Sequence, residues 1–171
     1  MSVSIGLINP KSPTNVGAVM RAAGCFRVNS VFYTGERYDR AAKFQTDTHN
    51  VRETIPLVGV DDLLENVEKD AKIICVELVE GALPLVEYPH PGNAFYIFGP
   101  EDDTIHQSII DRADAVVYIP TVGCLNLAAT VNVVLYDRLA KSEHSFAGDD
   151  LIRRSRDANN KVKVKTAPDN V

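Results

Sequence analysis

The sequence predicts an α/β protein with a mostly parallel sheet flanked by helices. Short runs of β-branched and aromatic residues alternate along the chain with stretches of helical apolar spacing. Strands that alternate with helices favour parallel β-α-β units, whose helices cover both faces of the sheet. Two predicted strands, at 94–98 and 115–119, run into loops that contain glycine or proline. In open parallel sheets, such strand ends carry the ligand sites.

The first half of the chain predicts two strands and one clear helix. A strand at 3–8 precedes Ser12, which can cap a helix whose first position holds Pro13, where a missing N–H loses no bond. A strand is predicted at 31–33, and the polar residues 34–55 predict a surface loop that can include one helical turn. The helix after Ser12 has one apolar face at helical spacing, made of Val16, Val19, Met20 and Ala23.

The second half predicts three more strands and three helices. Its last helix is apolar on nearly every face, so it must be covered on more than one side. The cover is either a partner subunit or the rest of a central core. In chain order we predict a helix at 61–70, strands at 73–78 and 94–98, a helix at 104–112, a strand at 115–119 and a helix at 125–139.

The formal net charge of −5 is unevenly distributed. Residues 151–171 carry six Lys and Arg against two Asp, a charge of +4, so the first 150 residues carry −9. A basic tail on an acidic body can supply local phosphate contacts, and the alternative is a solvated tail without function. We therefore predict a folded domain at 1–142 and a basic, partly disordered tail at 143–171.

Composition and spacing disfavour several classes of protein. No stretch approaches ~20 apolar residues, so no membrane span is predicted. Residues 1–10 lack the basic segment and apolar stretch of a signal peptide. The odd number of cysteines, without zinc-ligand spacing, is typical of a reducing cytosol. The sequence has neither a dinucleotide-binding glycine fingerprint nor a P-loop.

Three motifs hold the candidate chemistry. Residues 9–24 (NPKSPTNVGAVMRAAG) place Arg21 on a helical stripe between two glycines, which lets backbone or ligand approach the guanidinium. Residues 95–102 (FYIFGPED) end a strand at Gly-Pro and then present a carboxylate. Residues 117–139 leave a strand at Ile-Pro and present the carboxamide of Asn126 where a helix begins.

In this order, the three motifs resemble those of the TrmH-type enzymes in the SPOUT superfamily of RNA methyltransferases. The resemblance covers most of residues 3–140. It implies S-adenosylmethionine as cofactor without a metal, transfer to a ribose 2′-hydroxyl of tRNA or rRNA, and a homodimer, and the cysteines predict a cytoplasmic location. The resemblance also implies a C-terminal trefoil knot, which local sequence would not suggest because threaded chains are rare.

The matching positions imply a set of site residues. Catalysis is assigned to Arg21, Asn15, Glu101 and Asn126. Cofactor binding is assigned to Leu78, Gly99, Glu101, Ile119, Asn126 and Leu127. The alternatives are structural: an ordinary turn for Gly99, core packing for Leu78, and helix capping or helix-start hydrogen bonds for Asn15, Glu101 and Asn126.

Arg21 is the candidate for the chemical step. A guanidinium pKa above ~12 makes arginine a poor proton acceptor. Clamping the neighbouring phosphate and stabilising the nascent alkoxide is therefore the preferred role, with base action as an alternative. The structural reading is a surface arginine in an ion pair.

The third motif departs from the family pattern. Its loop is short, and Cys124 stands where Ser is common, which removes a stronger hydrogen-bond donor. Two other functions stay open on the sequence: transfer to a base nitrogen by the same fold, and a non-catalytic RNA-binding protein that retains the fold.

Overall fold

The structure is a computed structural model that describes residues 1–43, 55–143, 147–156 and 161–164. The chain divides into two compact units, Met1–Lys141 and Ser142–Val171. Part of the polar segment predicted as a surface loop, including His49 and Arg52, lies outside the described residues. Among those described, no helix has both the length and the apolar character needed to cross a bilayer.

A parallel sheet forms the centre of the first unit, which confirms the predicted fold class. The described strands are β1 (Val3–Leu7), β2 (Ser30–Tyr33), β3 (Leu57–Gly59), β4 (Lys72–Val76), β5 (Leu83–Pro84), β6 (Ala94–Phe98) and β7 (Ala115–Tyr118). They pair in the order β3-β2-β1-β6-β4-β7-β5, and every pairing is parallel. Strand β6 lies between β1 and β4, and all five of its residues are buried. The sequence of β6 is therefore a continuous apolar run, as is typical of parallel strands that are buried on both faces.

Helices cover both faces of this sheet. The described α-helices are α1 (Pro13–Cys25), α2 (Arg37–Ala42), α3 (Gln107–Ile110), α4 (Leu127–Ala140) and, in the second unit, α5 (Asp149–Ser155). Helices α1 and α4 pack against each other and share one apolar core with the sheet. Residues of α3 and a 3-10 turn at Leu63–Asn66 belong to a second apolar cluster, built on the alternate strand residues Cys75, Phe95 and Ile97. Successive side chains of a strand point to opposite faces of the sheet, so the central strands contribute to an apolar core on each face.

The N-terminal signals of α1 are confirmed. The Ser12 hydroxyl accepts a hydrogen bond from the Asn15 amide at 3.3 Å, and Pro13 occupies the first position. The predicted apolar face is at most 3% exposed. Local sequence therefore determines both where this helix begins and which side faces the sheet.

Two predicted helices are wrong in extent. The segment predicted helical at 61–70 forms only the Leu63–Asn66 turn, in which Asp62 accepts from the Leu64 amide at 2.8 Å and its carbonyl accepts from Asn66 at 2.8 Å. Such local side-chain bonds compete with helix propagation. The helix predicted at 104–112 shortens to α3, which His106 caps. The short edge strand β3, after Pro56, was not predicted.

The last helix begins later than predicted, at Leu127 rather than 125, because Asn126 caps it. Its inward side is buried against α1 and the sheet. One side remains exposed in the single chain, where Val133 is 38% and Tyr136 is 64% exposed.

A buried polar network joins α4 to the connection before β6. The His90 side chain is 3% exposed; its Nδ1 lies 2.6 Å from the Tyr96 hydroxyl and its Nε2 lies 2.8 Å from Asp137 Oδ2. A neutral ring satisfies both contacts when Nε2–H donates to Asp137 and Nδ1 accepts from Tyr96. Lys141 also binds Asp137 at 2.6 Å, and Arg138 donates to the Pro91 and Gly92 carbonyls.

Acidification should destabilise the fold through His90. Burial lowers the pKa of His90 and outweighs the Asp137 hydrogen bond, which raises it. The unfolded chain then takes up the proton at a higher pH than the folded chain, so stability decreases as pH falls below about 6.5 towards the lower folded pKa. Between pH 7.5 and pH 5, the melting temperature should decrease less in His90→Gln than in the wild-type protein, because glutamine keeps a donor and an acceptor without titrating. Equal losses in the two proteins would contradict this assignment.

Candidate active site

A cavity of about 440 Å³ opens at the carboxyl ends of the central strands. Its walls are the loops that follow β4, β6 and β7, together with Asn15 at the start of α1 and Thr130 in the first turn of α4. This is the edge at which parallel sheets place ligand sites. Its volume lies within the roughly 300–1,000 Å³ of small-molecule sites.

The sequence-predicted residues converge on this cavity, with one exception. All six positions assigned to cofactor binding line it, and so does Asn15. Leu78 is 52% exposed and is not a core residue, whereas Leu127 is 7% exposed and belongs to the core. Arg21 does not line the cavity. It lies on the exposed side of α1, six residues beyond Asn15 or about 9 Å along the helix.

Glu101 binds the start of α1. Its Oε2 accepts from the Lys11 amide at 2.9 Å, and its Oε1 accepts from the Ser12 amide at 3.1 Å and from Asn15 Nδ2 at 3.2 Å. The capping alternative for Glu101 is wrong, since His106 caps the helix that follows. Partial burial alone would raise the pKa of Glu101, but these hydrogen bonds together hold the pKa below its usual range. Glu101 is therefore an anion at neutral pH.

Asn126 caps helix α4, as the structural alternative predicted. Its Oδ1 accepts from the Ala129 amide at 2.7 Å as the cap of α4. Because capping uses the carboxamide oxygen, the NH2 group of Asn126 is the part that can contact a ligand in the cavity. The same residue therefore fixes where α4 begins and forms part of the cavity wall.

Sequence inspection missed Glu77, which joins two walls of the cavity. Its Oε1 accepts from the Leu78 amide at 2.9 Å, and its Oε2 accepts from the Ile105 amide at 3.0 Å. A Cβ at Gly99 would lie 2.8 Å from Glu77 Oε2 and 3.2 Å from Ile105 Cγ1. A side chain at position 99 would therefore crowd the Glu77 carboxylate and Ile105. A carboxylate directly after a buried strand was the signal that could have identified Glu77.

The setting of Arg21 matches the sequence prediction in one respect. A Cβ at Gly17, one turn before Arg21, would meet no atom of the chain within 4 Å. The exposed side of α1 is formed by small and uncharged residues around a single cation: Thr14, Gly17, Ala18, Arg21, Gly24 and Cys25. Another backbone or a ligand can therefore approach the guanidinium closely.

The loop after β7 is short and is held by a hydrogen bond within it. The Thr121 hydroxyl donates to the Gly123 carbonyl at 2.6 Å, and Cys124 is exposed and lines the cavity. In the described part of the chain, no group of three or more His, Cys, Asp or Glu side chains is arranged to hold a metal ion.

Known proteins that are similar to this chain in sequence include two RNA methyltransferases. One similar protein is the 23S rRNA (guanosine-2′-O-)-methyltransferase RlmB of Acinetobacter baylyi, 27% identical over 73% of this chain and 54% of its own length. Another is the tRNA (cytidine-2′-O-)-methyltransferase TrmJ of Methanocaldococcus jannaschii, 27% identical over 81% of this chain and 68% of its length. The chain thus spans about half of the first relative and about two thirds of the second.

Solved structures share the fold. The TrmH/SpoU tRNA modifying enzyme of A. aeolicus superposes with a TM-score of 0.70 at 19% identity, covering 82% of this chain and 75% of that one. The SpoU methyltransferase AviRb of Streptomyces viridochromogenes, in complex with AdoMet, gives a TM-score of 0.67 at 16% identity, over 82% of this chain and 57% of that one. The sequence profile of the SpoU rRNA Methylase family matches residues 2–136, so this chain belongs to that family.

Proposed function

We propose that this protein transfers a methyl group from S-adenosylmethionine to a ribose 2′-hydroxyl of tRNA or rRNA. The observation that carries the proposal is the convergence of all six predicted cofactor positions, with Asn15, on one cavity at the strand ends. Family membership supports it, and so do the names of the two relatives, both 2′-O-methyltransferases.

The residues present fit an adenosine-containing cofactor. A loop without a Cβ at Gly99 lets backbone approach the pocket, and Glu77 holds that loop against the strand end. Main-chain groups at Leu78, Gly99 and Ile119 would bind the adenosine, with Leu127 as apolar floor. When bound, S-adenosylmethionine supplies an electrophilic methyl group on a sulfonium centre.

The remaining residues have positioning and electrostatic roles in this proposal. An in-line displacement requires the acceptor oxygen to be aligned and its developing charge to be stabilised. Glu101 and Asn15 fix the start of α1 beside the cavity through their hydrogen bonds. Arg21, further along the same helix, clamps the RNA phosphate and stabilises the alkoxide. The NH2 group of Asn126 orients the cofactor or the RNA.

Cofactor binding followed by mapping of methylated nucleotides tests the proposed function. Calorimetry should show one S-adenosylmethionine site per chain, and RNA from cells with and without the gene should differ in 2′-O-methyl sites. A difference in base methylation instead would assign transfer to a base nitrogen. RNA binding without cofactor binding would identify a non-catalytic protein and reject the proposal.

We also propose that the chain works as a homodimer through the exposed sides of α1 and α4. Val133 and Tyr136 form an apolar surface on α4, and the adjoining side of α1 is made of small residues. Small residues let helices pack closely, and an exposed apolar surface of this kind is typical of an interface. The family resemblance supports the dimer, the trefoil knot and a cytoplasmic location, all of which stay predictions.

The dimer should be disrupted by charge on α4. Light scattering should give a dimer for the wild-type protein and a monomer for Val133→Glu/Tyr136→Glu, because the buried carboxylates would lack partners. Val86→Glu is the control, since Val86 is also apolar and 60% exposed but lies outside α1 and α4. A wild-type monomer at micromolar concentration that still methylates RNA would contradict the dimer.

The basic tail is proposed to contact RNA phosphates. Arg153 pairs with Asp150 at 2.6 Å on α5, and Lys161 and Lys163 are exposed. Lys165 and the two tail aspartates lie outside the described residues. The unit Ser142–Val171 is thus the candidate for a sequence-independent RNA contact.

Deletion of residues 151–171 should weaken RNA binding more than cofactor binding. Each phosphate that the protein no longer neutralises makes the slope of log K against log salt shallower by about 0.9 for duplex or 0.7 for single strands. RNA affinity should be measured across salt for the full chain, the truncated chain and a full-length variant with the tail Lys and Arg changed to Gln. Identical slopes and affinities in all three would show that the tail is idle.

A further inference from the structure

Three loops meet beside the cavity, on the side where Glu101 binds α1. They follow β1, β2 and β6 and span residues 8–12, 34–36 and 99–103. The first two are in contact: the Asn9 amide donates to the Thr34 hydroxyl at 3.2 Å, and a Cβ at Gly35 would clash with Asn9 Oδ1. Asn9 itself has a positive φ of 42°, and Gly35 has a φ of 75°. Positive φ is uncommon for residues other than glycine, and asparagine adopts it more often than most. This junction therefore favours the residue types found at positions 9 and 35.

Arg37 binds two of these loops with one guanidinium. Its Nε and Nη2 donate to the Asn9 carbonyl at 3.0 and 2.5 Å, and its Nη1 donates to Asp102 Oδ1 and Oδ2 at 2.8 and 2.9 Å. The side chain is 30% exposed, so it lies largely against the protein. A planar fork with several donors can make these contacts at once, whereas an ammonium group cannot.

Asp102 transmits this contact to the active site because it is the neighbour of Glu101. The Arg37 hydrogen bond holds the pKa of Asp102 below its usual range, so Asp102 is an anion at neutral pH. Glu101 in turn accepts from the Lys11 and Ser12 amides at the entry of α1. The path from Arg37 to the start of the helix that bears Arg21 therefore consists of directly observed hydrogen bonds and one peptide link.

We propose that Arg37 is a positioning residue for methyl transfer, which it serves by holding the 99–103 loop and the 8–12 loop together so that Glu101 stays bound to the start of α1. The inference rests on the proposed function and assigns Arg37 no contact with RNA or cofactor. Its hydrogen bonds to Asn9 and Asp102 are internal, so the protein itself engages these donors.

Amide hydrogen exchange and kinetics together test this role. In Arg37→Ala, exchange at the Lys11 and Ser12 amides should accelerate, and kcat should fall by about 10- to 100-fold, as expected when reacting groups are misplaced by ~1 Å. Arg37→Lys should recover only part of the loss, and Asp102→Asn should reproduce it. The losses in the double variant Arg37→Ala/Asp102→Asn should be smaller than the product of the two single losses, because both substitutions remove the Arg37–Asp102 link.

Arg40→Ala is the matched control. Arg40 lies on the same short helix, is 74% exposed and pairs with Glu36, the N-cap residue of that helix. It should leave exchange and kcat unchanged. A salt slope of RNA binding that becomes shallower in Arg37→Ala but not in Arg40→Ala would make Arg37 a phosphate contact and overturn the inference.

The exchange measurement separates this inference from the proposed function. Unchanged exchange at Lys11 and Ser12 in Arg37→Ala, or faster exchange with unchanged kcat, would overturn the positioning role in an active enzyme. If the wild-type protein methylates no RNA while exchange accelerates as expected, the proposed function fails. The link from Arg37 to Glu101 then stands as a structural link, and its role in methyl transfer is rejected.

Discussion

Arg21→Ala is expected to reduce methylation by at least about 10²-fold in kcat while leaving the fold and cofactor affinity nearly unchanged. Removal of one group that stabilises developing oxyanion charge costs about 10²–10³-fold in well-studied enzymes. Arg21 is exposed and does not line the cavity, so neither core packing nor adenosine binding depends on it. Single-turnover methylation, calorimetry with S-adenosylmethionine and thermal melting measure the three quantities.

Two controls make the Arg21 result specific. Arg112→Ala removes an exposed arginine outside α1 and α4, and it should behave like the wild-type protein. Because Arg21 lies on the proposed dimer surface, light scattering should show that Arg21→Ala is still a dimer. Near-normal turnover would remove Arg21 from the catalytic set, and loss of activity together with the dimer would assign Arg21 to the interface.

The cavity could be predicted from the sequence because its determinants are local. A strand that ends just before Gly99 or Ile119 places these residues at the carboxyl edge of a parallel sheet, whatever else the chain does. Ser12 and Pro13 likewise determine where α1 begins through contacts within four residues. These elements agree with the structure because propensity, pattern and capping all favour the same outcome.

The remaining features depend on contacts that sequence spacing does not reveal. Glu101 binds amides 89 and 90 residues earlier in the chain, so its role could not be separated from helix capping by inspection. The helix predicted at 61–70 fails because Asp62 and Asn66 close a turn with their own side chains. In the sequence, Arg37 is one of several cations in a polar segment and nothing distinguishes it. Its role depends on the pairing of β1 with both β2 and β6, which brings the loops after these strands together.

The chemistry of Glu101 is set by its acceptor geometry. Two carboxylate oxygens accept three donors, from Lys11, Ser12 and Asn15. A glutamine has one carbonyl oxygen, so its NH2 group would face an amide donor in either orientation. At least one donor at the start of α1 would then face the NH2 group instead of an acceptor, and the start of the helix would shift away from the loop after β6.

Glu101→Gln should therefore lower kcat by about 10- to 100-fold through misplacement of the Arg21-bearing helix. The folded pKa of Glu101 is depressed, so its contribution to stability is present above the unfolded pKa of about 4.3 and is lost only as pH falls through the lower folded value. The kinetic defect should consequently be the same at every pH from 6 to 9. Glu68→Gln, an exposed isosteric change, should show no defect. A defect that varies across this pH range would make Glu101 a proton-transferring group, and full activity would remove it from the site.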